Sequence, residues 1–441
     1  MAYRLLIIQP SFYRSETNRE VARVRRRRLV PLTLPYLAAL TPREWNVTLV
    51  DEILEPVDPA QSVDLVAITM LTAQSLRGYD LATAFRQRGV PVVIGGPHAF
   101  FYPEETAQHC DAVAVGEGEV LWPQILADAA AGRLRREYRA ESLPNLAGLP
   151  LPRYELLDLR RYGLFKTFTV QTSRGCPFRC EFCSERLYLG EGYRCRPVAD
   201  ILAEVKHCRS RNIFFAASTF AGDKTHAMEL MAALVPLRIR WSTLWTLALC
   251  KDKAFMDLAQ HSGLLHINIG VESISDETLK GMNKRHNHVA DYPVVFADLR
   301  RRGVSFSLNF IFGWDGEERS IFRRTLKFLC EQRVPAAYFN ILTPEKGTPF
   351  YDEMLRAGRI LDPDEVGRWP GKRCYIVPAY CNATELEHFV RALHREFYSL
   401  RSIFRRMPLP VTKANIASWF LNLSQHRLAC ARDLKNSFAE L

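Results

Sequence analysis

The stretch TFTVQTSRGCPFRCEFCS, residues 167–184, decides how this chain is organised, because a strand pattern runs directly into a group of cysteines. Cys176, Cys180 and Cys183 are spaced C-x3-C-x2-C. Thiolates grouped this closely usually serve a metal or redox chemistry. Structural zinc normally takes four protein ligands, and a redox cysteine pair does not need a third thiol. A [4Fe–4S] cluster held by three thiolates leaves one iron open to a non-protein ligand, which can be S-adenosylmethionine (SAM).

The other eight cysteines are scattered over the 441 residues. The total of 11 is odd, and MAYRLLIIQPSF at the N-terminus has no signal-peptide pattern, so a disulfide framework is not expected. Most of the eight lie in apparent helices or strands, where buried inert thiols are the expected role. Cys374 and Cys381, in CYIVPAYC, have the option of ligating a group, but a structural role is the preferred interpretation.

Composition and charge narrow the class of protein. The chain is 48% hydrophobic and 24% charged, as soluble globular proteins are, and its length predicts two or three domains. It has no run of about 18 uncharged apolar residues, so we expect a cytoplasmic protein without a transmembrane segment. The net charge of +11, part of it in RVRRRRLV (23–30), suits an anionic substrate, a nucleic acid or a membrane surface. A solvated basic face explains the run equally well.

The first 140 residues alternate strand and helix patterns. Helical patterns such as LRGYDLATAFRQRG and YPEETAQHC separate runs that are rich in β-branched residues. These runs predict strands over residues 3–10, 47–52, 64–70, 90–97 and 111–119. Continuous apolar strands separated by helices predict a doubly wound α/β domain over residues 1–140, with a parallel sheet covered on both faces. The proline-containing residues 141–165 predict a linker.

Small and polar residues follow three of these strands at one edge of the predicted sheet. Such a sheet binds ligands outside the carboxyl ends of its strands, where glycine lets a ligand approach the backbone. Neither G-x-G-x-x-G nor G-x4-G-K-[ST] is present, which disfavours a nicotinamide dinucleotide or a nucleoside triphosphate. A tight turn is the alternative explanation of each glycine pair. The candidate ligand-binding residues are Thr69, Thr72, Gly95, Gly96, His98, Gly116, Glu117 and Gly118.

A second series of strand and helix patterns begins at the cysteine stretch. The strand patterns are TFTVQTS, NIFFAAS, RWSTLWTLAL, LHINIGVES, VSFSLNFIFGW and AAYFNILTP. Six such units predict a partial parallel (β/α)6 barrel over residues 166–360, with its functional site at the carboxyl ends of the strands. Residues 361–441 have a helical, basic pattern that predicts a C-terminal helical domain.

The cysteine stretch resembles the signature of the radical SAM superfamily, C-x3-C-x-aromatic-C, in which Phe182 is the aromatic residue. The resemblance implies that Cys176, Cys180 and Cys183 bind a [4Fe–4S] cluster and that Phe182 lies beside SAM. It implies that an electron from the cluster cleaves SAM to a 5′-deoxyadenosyl radical, which abstracts hydrogen from unactivated carbon. An electron donor such as flavodoxin or ferredoxin follows from the same resemblance.

Other barrel segments are similar to the same superfamily. LHINIGVES (265–273) resembles a strand that ends in I-G-x-E-S, although Ser273 and Ser275 are alternatively explained as helix caps. FSLNFIFGWDGE (306–317) resembles a later strand near the adenosine, and LTPEKGTPFY resembles the last strand segment. By this resemblance the candidate SAM-binding residues are Phe182, Arg196, Ser218, Thr219, Glu272, Ser273 and Phe312.

One segment departs from the superfamily pattern. Related proteins often carry two acidic residues at the end of the second barrel strand, near the SAM amino group. Here the segment reads FFAASTFAGD (214–223), without that pair. Ser218, Thr219 or Asp223 are the available substitutes for binding the amino group.

The N-terminal half resembles the cobalamin-binding domain found before radical SAM barrels, through DLVAIT, VVIGGPHAFFYPEE and AVGEGE. Together the two resemblances cover about residues 1–405. They imply a Rossmann-like (flavodoxin-like) fold with cobalamin bound by the candidate residues at the sheet edge. The D-x-H-x-x-G motif of proteins that give cobalamin a histidine ligand is absent, as it is in related radical SAM members, so no lower axial ligand is named.

These resemblances lead to one main hypothesis: a cobalamin-dependent radical SAM enzyme that C-methylates an unactivated carbon of a small molecule through methylcobalamin. The first alternative is a ring-forming, ring-contracting or oxidising enzyme of tetrapyrrole, terpenoid-lipid or natural-product pathways. The second is a non-catalytic iron–sulfur redox or sensor protein. RNA modification is a third, and the absence of an RNA-binding pattern means that no stable nucleic-acid partner is expected. The aromatic, basic C-terminal segment suits a large apolar or anionic substrate, but ordinary core packing is the preferred explanation of its aromatic residues.

Overall fold

Two parallel sheets and the helices that cover them make up the chain. The structure is a computed structural model, and it describes residues 3–14, 19–163, 165–369, 373–407 and 415–430. The strands are β1 Tyr3–Gln9, β2 Leu29–Val30, β3 Trp45–Asp51, β4 Leu65–Thr69, β5 Val92–Gly95, β6 Ala112–Val115, β7 Glu137–Arg139, β8 Thr167–Gln171, β9 Ser173–Arg174, β10 Arg194–Cys195, β11 Asn212–Ala216, β12 Arg240–Trp245, β13 Leu264–Glu272, β14 Ser305–Phe312 and β15 Ala336–Ile341. The helices are α1 Thr33–Ala39, α2 Ser75–Arg86, α3 Pro97–Phe101, α4 Pro103–His109, α5 Gly118–Ala130, α6 Glu185–Leu189, α7 Val198–His207, α8 Lys224–Leu234, α9 Lys253–His261, α10 Asp276–Gly281, α11 Tyr292–Arg301, α12 Ser320–Glu331, α13 Pro349–Arg356, α14 Ala383–Phe397, α15 Leu400–Arg406 and α16 Ile416–Cys430.

The N-terminal sheet has the strand order β3-β1-β4-β5-β6-β7, and all neighbouring strands are parallel. The five predicted strands are present because their apolar runs, such as LLII in β1, are buried on both faces of the sheet. The direction of sheet growth reverses at β1, which has β3 on one side and β4 on the other. The carboxyl ends of β1 and β4 therefore flank the switch point, where sheets of this order bind ligands.

The carboxyl edge of this sheet differs from the sequence-based prediction in two places. The predicted strand 111–119 ends at Val115, and Gly118 and Glu119 belong to the first turn of α5 instead. The predicted strand 90–97 ends at Gly95, because Pro97 starts α3. A short sixth strand, β7, has no counterpart in the prediction, since its residues EYR carry no apolar run.

The second sheet is a partial barrel with the order β15-β14-β13-β12-β11-β8-β2, again parallel throughout. The six predicted strands of the barrel are confirmed by β8 and β11 to β15. The seventh strand, β2, comes from the end of the basic run 23–30, where Leu29 and Val30 pair with the beginning of β8. The hydroxyl of Thr169 also donates to the carbonyl of Val30, although the two residues are 139 positions apart. The domain boundaries at residues 140, 165 and 360 remain predictions.

Buried apolar side chains form separate clusters on the faces of the sheets. Along β1, Leu6 belongs to one cluster and Leu5 to another, so alternate residues fill the two faces of the N-terminal sheet. A third, larger cluster lies between the barrel strands and their covering helices. The intervening barrel residues, such as Asn268 and Asn309, face the interior by the same alternation, and they give the barrel a polar interior.

α14 packs along β15 and α12, whereas α15 and α16 lie towards the amino end of the barrel, where its strands begin. The helical pattern predicted for residues 385–407 is divided in two: α14 ends at Phe397, and Ser399 caps α15 by accepting from the amide of Ser402 at 3.3 Å. α16 crosses the amino end, and its Ser418 hydroxyl lies 2.8 Å from that of Ser305 in β14. Residues 431–441 of the predicted C-terminal domain lie outside the described residues. Within the described part of the chain, no helix combines the length and the apolar character needed to cross a membrane.

Candidate active site between the two sheets

The three clustered cysteines lie in the loop that follows β8, at the carboxyl end of the barrel. All three thiols are free and half-buried. Burial raises the pKa of each thiol, to about 12 for Cys183, while the charge of Lys284 lowers the pKa of Cys176 and Cys180. Thiols of this kind become thiolates at neutral pH when a metal coordinates them.

Backbone geometry fixes the shape of this loop. Strands β9 and β10 pair antiparallel and close the loop at its base. Gly175 has a φ of +87°, and a Cβ atom there would lie 1.9 Å from the carbonyl oxygen of Gly192. Only glycine is accommodated at this position, immediately before Cys176.

The thiol arrangement fits an iron–sulfur cluster better than a single metal ion. In the described residues, no three His, Cys, Asp or Glu side chains are placed to hold one ion. The thiols of Cys180 and Cys176 nevertheless influence the pKa of Cys183, so the three lie close together. In a cluster each thiolate binds its own iron, so the ligands need not converge on one point. The ring of Phe182 packs against the barrel core beside them.

A carboxylate and an ammonium group lie beside the cysteine loop. Glu272, a predicted SAM-binding residue, ends β13 with a φ of +62°, a conformation that costs a non-glycine residue about 1–3 kcal/mol. Its carboxylate pairs with Lys284. Burial opposes the charge of Lys284, but Glu272 and the thiols of Cys180 and Cys183 leave its pKa raised. The sequence offered no spacing signal for Lys284, which lies in GMNKRH.

The segment that replaces the acidic pair also reaches the cysteine loop. The Ser218 hydroxyl donates to Glu185 at 2.7 Å, and the charge of Glu185 raises the pKa of Cys176 and Cys183. Asp223 instead caps α8, since its carboxylate accepts from a helix amide at 3.1 Å. The structure therefore places Ser218, and not Asp223, beside the cysteines.

Two buried hydroxyls near the loop lack a hydrogen-bond partner in the described part of the chain. They are Oγ1 of Thr172, directly after β8, and Oγ1 of Thr219, a predicted SAM-binding residue. Leaving a buried hydroxyl unpaired costs about 1–3 kcal/mol, so such groups call for an explanation. A polar ligand at the carboxyl end of the barrel would supply the missing partner.

Three other predicted SAM-binding residues already have partners within the protein. Arg196 is buried and pairs with Glu204 at 2.6 Å. Phe312 is buried among three other phenylalanine rings. The Ser273 hydroxyl accepts from the amide of Ser275, which in turn caps α10. Their contact with SAM stays a prediction, and the observed partners account for these residues without it.

A buried ion-pair network joins the cysteine loop to the N-terminal sheet. Arg174, two residues before Cys176, pairs with both Glu117 and Glu119, and these three side chains are at most 9% exposed. The Tyr36 hydroxyl donates to Glu119 at 2.7 Å. Burial opposes the charge of Glu119, but Arg174 lowers its pKa overall. Glu117, a predicted cobalamin-binding residue, therefore forms an ion pair with Arg174 instead.

Other contacts confirm that the carboxyl ends of the two sheets face each other. Arg194, in β10, also pairs with Glu117. Arg368 of the barrel side pairs with Glu105 at 2.7 Å. The ring of Phe100 meets that of Tyr188 edge-on, 5.3 Å between centroids. The loops at both carboxyl ends thus surround one region, with the three cysteines on one side of it.

The predicted residues Thr72, Gly96 and His98 have structural partners. His98 is fully buried, and its Nε2 lies 2.7 Å from the Tyr79 hydroxyl while its Nδ1 lies 3.3 Å from the Thr72 hydroxyl. Burial lowers the pKa of His98, which favours the neutral ring. Gly96 packs so closely that a Cβ atom would lie 2.9 Å from Thr69 Oγ1. These contacts favour the tight-turn explanation for this loop.

The other glycines at this edge are also in close contact with neighbouring parts of the chain. A Cβ atom on Gly116 would lie 2.6 Å from that of Ala140, and one on Gly95 would lie 3.4 Å from that of Ala114 in β6. A Cβ atom on Gly118 would lie 3.2 Å from Leu37 in α1. Close packing therefore explains these residues, and their contact with cobalamin stays a prediction.

Unpartnered polar atoms do occur at the switch point of the N-terminal sheet. Oε1 of Gln9, at the end of β1, and Oγ of Ser75, at the start of α2, are buried without a partner in the described residues. The exposed Leu71 lies on the loop between β4 and α2. Polar and apolar contacts of this kind fit a large cofactor with amide side chains. The sequence offers no signal for Gln9 or Ser75, because neither is part of a motif.

A buried carboxyl group lies after β14, in the predicted adenosine-side turn GWDGE. Oε2 of Glu317 accepts from the amide of Gly313 at 2.9 Å and from the Tyr380 hydroxyl at 3.1 Å. Its Oε1 has no partner among the described residues, and burial raises the pKa of Glu317 to about 7.

Comparisons with known proteins agree with this arrangement. Residues 170–329 match the family described as the radical SAM superfamily, and residues 60–152 match the family described as radical SAM proteins, N-terminal. The chain is 27% identical over 411 residues to bacteriochlorophyllide d C-12(1)-methyltransferase of Chlorobaculum tepidum, covering 90% of this chain and 88% of that one.

Two solved structures share the fold over most of the chain. The radical SAM methyltransferase TsrM from Kitasatospora setae, with tryptophan substrate and a SAM analogue bound, has a TM-score of 0.65 at 19% identity, covering 81% of this chain and 76% of that one. The cobalamin-dependent enzyme OxsB, with aqua-cobalamin and SAM bound, has a TM-score of 0.68 at 13% identity, covering 97% and 72%.

Proposed function

The chain belongs to the radical SAM superfamily and is a radical SAM enzyme with a [4Fe–4S] cluster and SAM as cofactors, and on this premise we propose that it is a cobalamin-dependent methylase of an unactivated carbon atom. One observation carries the proposal: Arg174 joins the cysteine loop to the carboxyl edge of the N-terminal sheet. That contact brings the region of the radical chemistry next to the ligand-binding edge of a second sheet. When bound, the cluster and SAM supply a carbon radical and cobalamin supplies a methyl group, while the protein binds and orients them.

On the barrel side, we assign the cluster to Cys176, Cys180 and Cys183. The hydroxyls of Thr172 and Thr219 are proposed to bind polar groups of SAM, since both are buried and lack partners in the described residues. Glu272 is proposed to accept a hydrogen bond from the SAM ribose. Its positive φ supports this role, because strained backbone conformations cluster at functional sites. Lys284 balances the charge of Glu272 and of the neighbouring thiolates.

On the side of the N-terminal sheet, we propose that cobalamin binds at the switch point between β1 and β4. Gln9 and Ser75 are proposed to hydrogen-bond its polar groups, and Leu71 to contact its ring. Glu117 is reassigned from cobalamin contact to holding Arg174 in place. The cobalamin in the OxsB structure supports this part of the proposal.

The substrate is proposed to be a large, mostly apolar molecule with an acidic group. The name of the Chlorobaculum tepidum relative, a bacteriochlorophyllide methyltransferase, supports a substrate of this class. An electron donor such as flavodoxin or ferredoxin would deliver the electrons, and the basic net charge of +11 suits an acidic donor.

The test is a count of products from the anaerobically reconstituted protein. The protein receives iron, sulfide, hydroxocobalamin, SAM, reduced flavodoxin and bacteriochlorophyllide d as a probe substrate. Methylation predicts equal amounts of 5′-deoxyadenosine and S-adenosylhomocysteine, with a methylated product. Deoxyadenosine without S-adenosylhomocysteine, across several tetrapyrrole and lipid substrates, would contradict methylation and favour ring formation or oxidation.

Cobalamin binding is measured separately by the absorbance that co-elutes with the protein. A Ser75→Ala variant, which removes the hydroxyl with little change in volume, is expected to retain less cobalamin. Thr325→Val is the matched control, because this buried hydroxyl also lacks a partner in the described residues but lies on α12 of the barrel. Equal retention by both variants would contradict the switch-point assignment.

A further inference from the structure

The helix α16 exposes apolar side chains on the face that points away from the barrel. Ile416, Phe420 and Leu423 are exposed and recur at helical spacing, so they share one face. The opposite face is buried against the amino end of the barrel, where Asn422 donates to the carbonyl of Pro335 at 2.7 Å. The exposed face of α16 is therefore the outer surface of this end of the molecule.

The neighbouring helix α15 continues the same surface. Phe404 is 60% exposed and Phe420 is 68% exposed. The ring of Phe404 lies 5.6 Å from that of Trp419, which places the outer face of α15 beside that of α16. Leu400 is exposed one turn before Phe404. Contiguous large apolar side chains on a surface mark an interaction site.

The charges of these two helices all have one sign. α15 and α16 contain four arginines and neither an aspartate nor a glutamate. Arg401, Arg405 and Arg427 are exposed, whereas Arg406 is buried. The two helices that expose these apolar side chains thus also expose three arginines.

The basic run 23–30 lies at the same end of the barrel. Its last two residues form β2 beside the start of β8. Burial and the nearby charge of Arg28 lower the pKa of His266, which bonds to Ser305 at 2.9 Å. Ser305 in turn contacts Ser418 of α16 at 2.8 Å. Arg25, Arg26 and Arg28 are exposed here, and they extend the basic surface beyond α16.

We propose that this end of the molecule, formed by α15, α16 and residues 25–28, docks onto membranes that contain anionic lipids. The apolar side chains would enter the boundary between headgroups and acyl chains, and the arginines would bind the acidic headgroups. A nucleic acid would pair with the arginines but leave Phe404 and Phe420 exposed. A second copy of this chain would bring one basic surface against another, which is unfavourable.

The docking surface lies at the amino end of the barrel, whereas the cysteines lie at its carboxyl end. Docking therefore leaves the region between the two sheets accessible. The proposal does not depend on which reaction the enzyme catalyses.

The test is flotation of the full-length reconstituted protein with vesicles. Vesicles of phosphatidylglycerol and phosphatidylcholine are compared with vesicles of phosphatidylcholine alone. We expect binding to the anionic vesicles only, and its loss at about 0.5 M salt because salt screens the arginines. The double variant Phe404→Gln and Phe420→Gln is expected to bind at least about tenfold less. The variants Arg401→Gln and Arg405→Gln are each expected to weaken binding to the anionic vesicles roughly fivefold, because each removes one positive charge.

Two matched controls separate the surface from general effects. Val294→Gln changes an apolar side chain that is 72% exposed on α11. The double variant Arg43→Gln and Arg88→Gln removes two exposed charges from turns beside the N-terminal sheet. Both are expected to float like the wild type, and SAM cleavage by every variant confirms folding.

Several outcomes would overturn the docking proposal. These are equal flotation with both vesicle types, wild-type flotation of the Phe404/Phe420 variant, or an equal loss of flotation in the Arg43/Arg88 control. A change from dimer to monomer in the Phe404/Phe420 variant, without a change in flotation, would assign the surface to self-association instead.

Discussion

Buried polar groups at the two ends of the barrel differ in whether they have hydrogen-bond partners within the protein. At the amino end, His266 uses both ring nitrogens, which lie 2.9 Å and 3.0 Å from the hydroxyls of Ser305 and Ser307. At the carboxyl end, the hydroxyls of Thr172 and Thr219 have no partner within the described residues. Buried polar groups that are satisfied by their own chain stabilise the fold, whereas those left open are the ones a ligand can satisfy.

Arg406 shows how completely the amino end is satisfied. Its guanidinium is buried, lies 3.5 Å from the centre of the Phe397 ring, and donates to the carbonyls of Phe397 and Val334. It also donates to Ser402 and Asn422. Burial lowers the pKa of Arg406 to about 10. Among the described residues no carboxylate pairs with Arg406, and the charge is tolerated because uncharged acceptors surround it.

The largest expected effect is the loss of activity without loss of stability at the carboxyl end. Cys183→Ala removes a cluster ligand, so we expect SAM cleavage to fall to the level of a protein-free control and bound iron to decrease. The urea midpoint of the cofactor-free protein should change little, because this half-buried thiol is not required by the core. Cys381→Ala is the control and should keep its iron; iron loss in both variants would contradict the assignment.

Arg174 lies at the carboxyl end, but its buried charge has partners within the protein, as buried polar groups at the amino end do. Arg174→Gln leaves Glu117 and Glu119 largely buried without this partner, so we expect the free energy of unfolding to fall by about 3–5 kcal/mol. Arg139→Gln, in an exposed pair with Glu137, should change it by less than about 1 kcal/mol. Urea unfolding measures both; similar small losses would show that the network does not join the sheets.

The two ends should also respond to pH with opposite signs. Burial raises the pKa of Glu317 from 4.5 to about 7, so the folded state binds more protons and its stability falls as pH rises through this range. Burial lowers the pKa of His266 from 6.5 to about 4, so its contribution is lost as pH falls through that range. Each shift corresponds to at most about 3–4 kcal/mol.

The measurement is urea unfolding from about pH 5 to pH 8. Glu317→Gln should remove the loss above pH 5 that the wild type shows, because glutamine keeps the hydrogen bonds to Gly313 and Tyr380 without an ionisable group. Glu318→Gln, at the exposed neighbouring position, should retain the wild-type profile. Identical pH profiles of stability for the wild type and Glu317→Gln would contradict the predicted contribution of Glu317.

The smallest pair of effects tests the comparison most directly. Thr219→Val removes a hydroxyl without a partner in the described residues, so stability should stay within about 1 kcal/mol while the KM for SAM rises about tenfold. Ser305→Ala removes the partner of the His266 Nδ1 atom and of the Ser418 hydroxyl, so stability should fall by about 1–3 kcal/mol with an unchanged KM. The reverse pattern would remove the distinction between the two ends.

Local patterns predict the parts of the fold that are set by local sequence. β8 and β13 are apolar, β-branched runs, and the six barrel strands follow from such runs alone. β2 is a two-residue strand whose partner lies far along the chain, so no local pattern indicates it. β7 lacks an apolar run because it lies at the edge of its sheet.

The same limit applies to the site. Spacing identifies the cysteines, because their ligand role depends on short sequence distance. The pairing of Arg174 with Glu117 depends on how two sheets meet, and neither residue indicates it alone. Gln9 and Ser75 are similar, since an unpartnered atom becomes visible only when all its neighbours are placed.

The edge strand β2 has a consequence for how the protein is made. Along the chain, β1 and β3 belong to one sheet while β2, between them, belongs to the other. During synthesis β2 leaves the ribosome long before β8, so the N-terminal sheet can form with one of its loops waiting for a partner. Closing so long a loop adds little entropic cost per residue, but it delays completion of the barrel. A fragment that ends before β8 would therefore leave β2 without its partner strand, and its unpaired edge would be open to pairing with another chain.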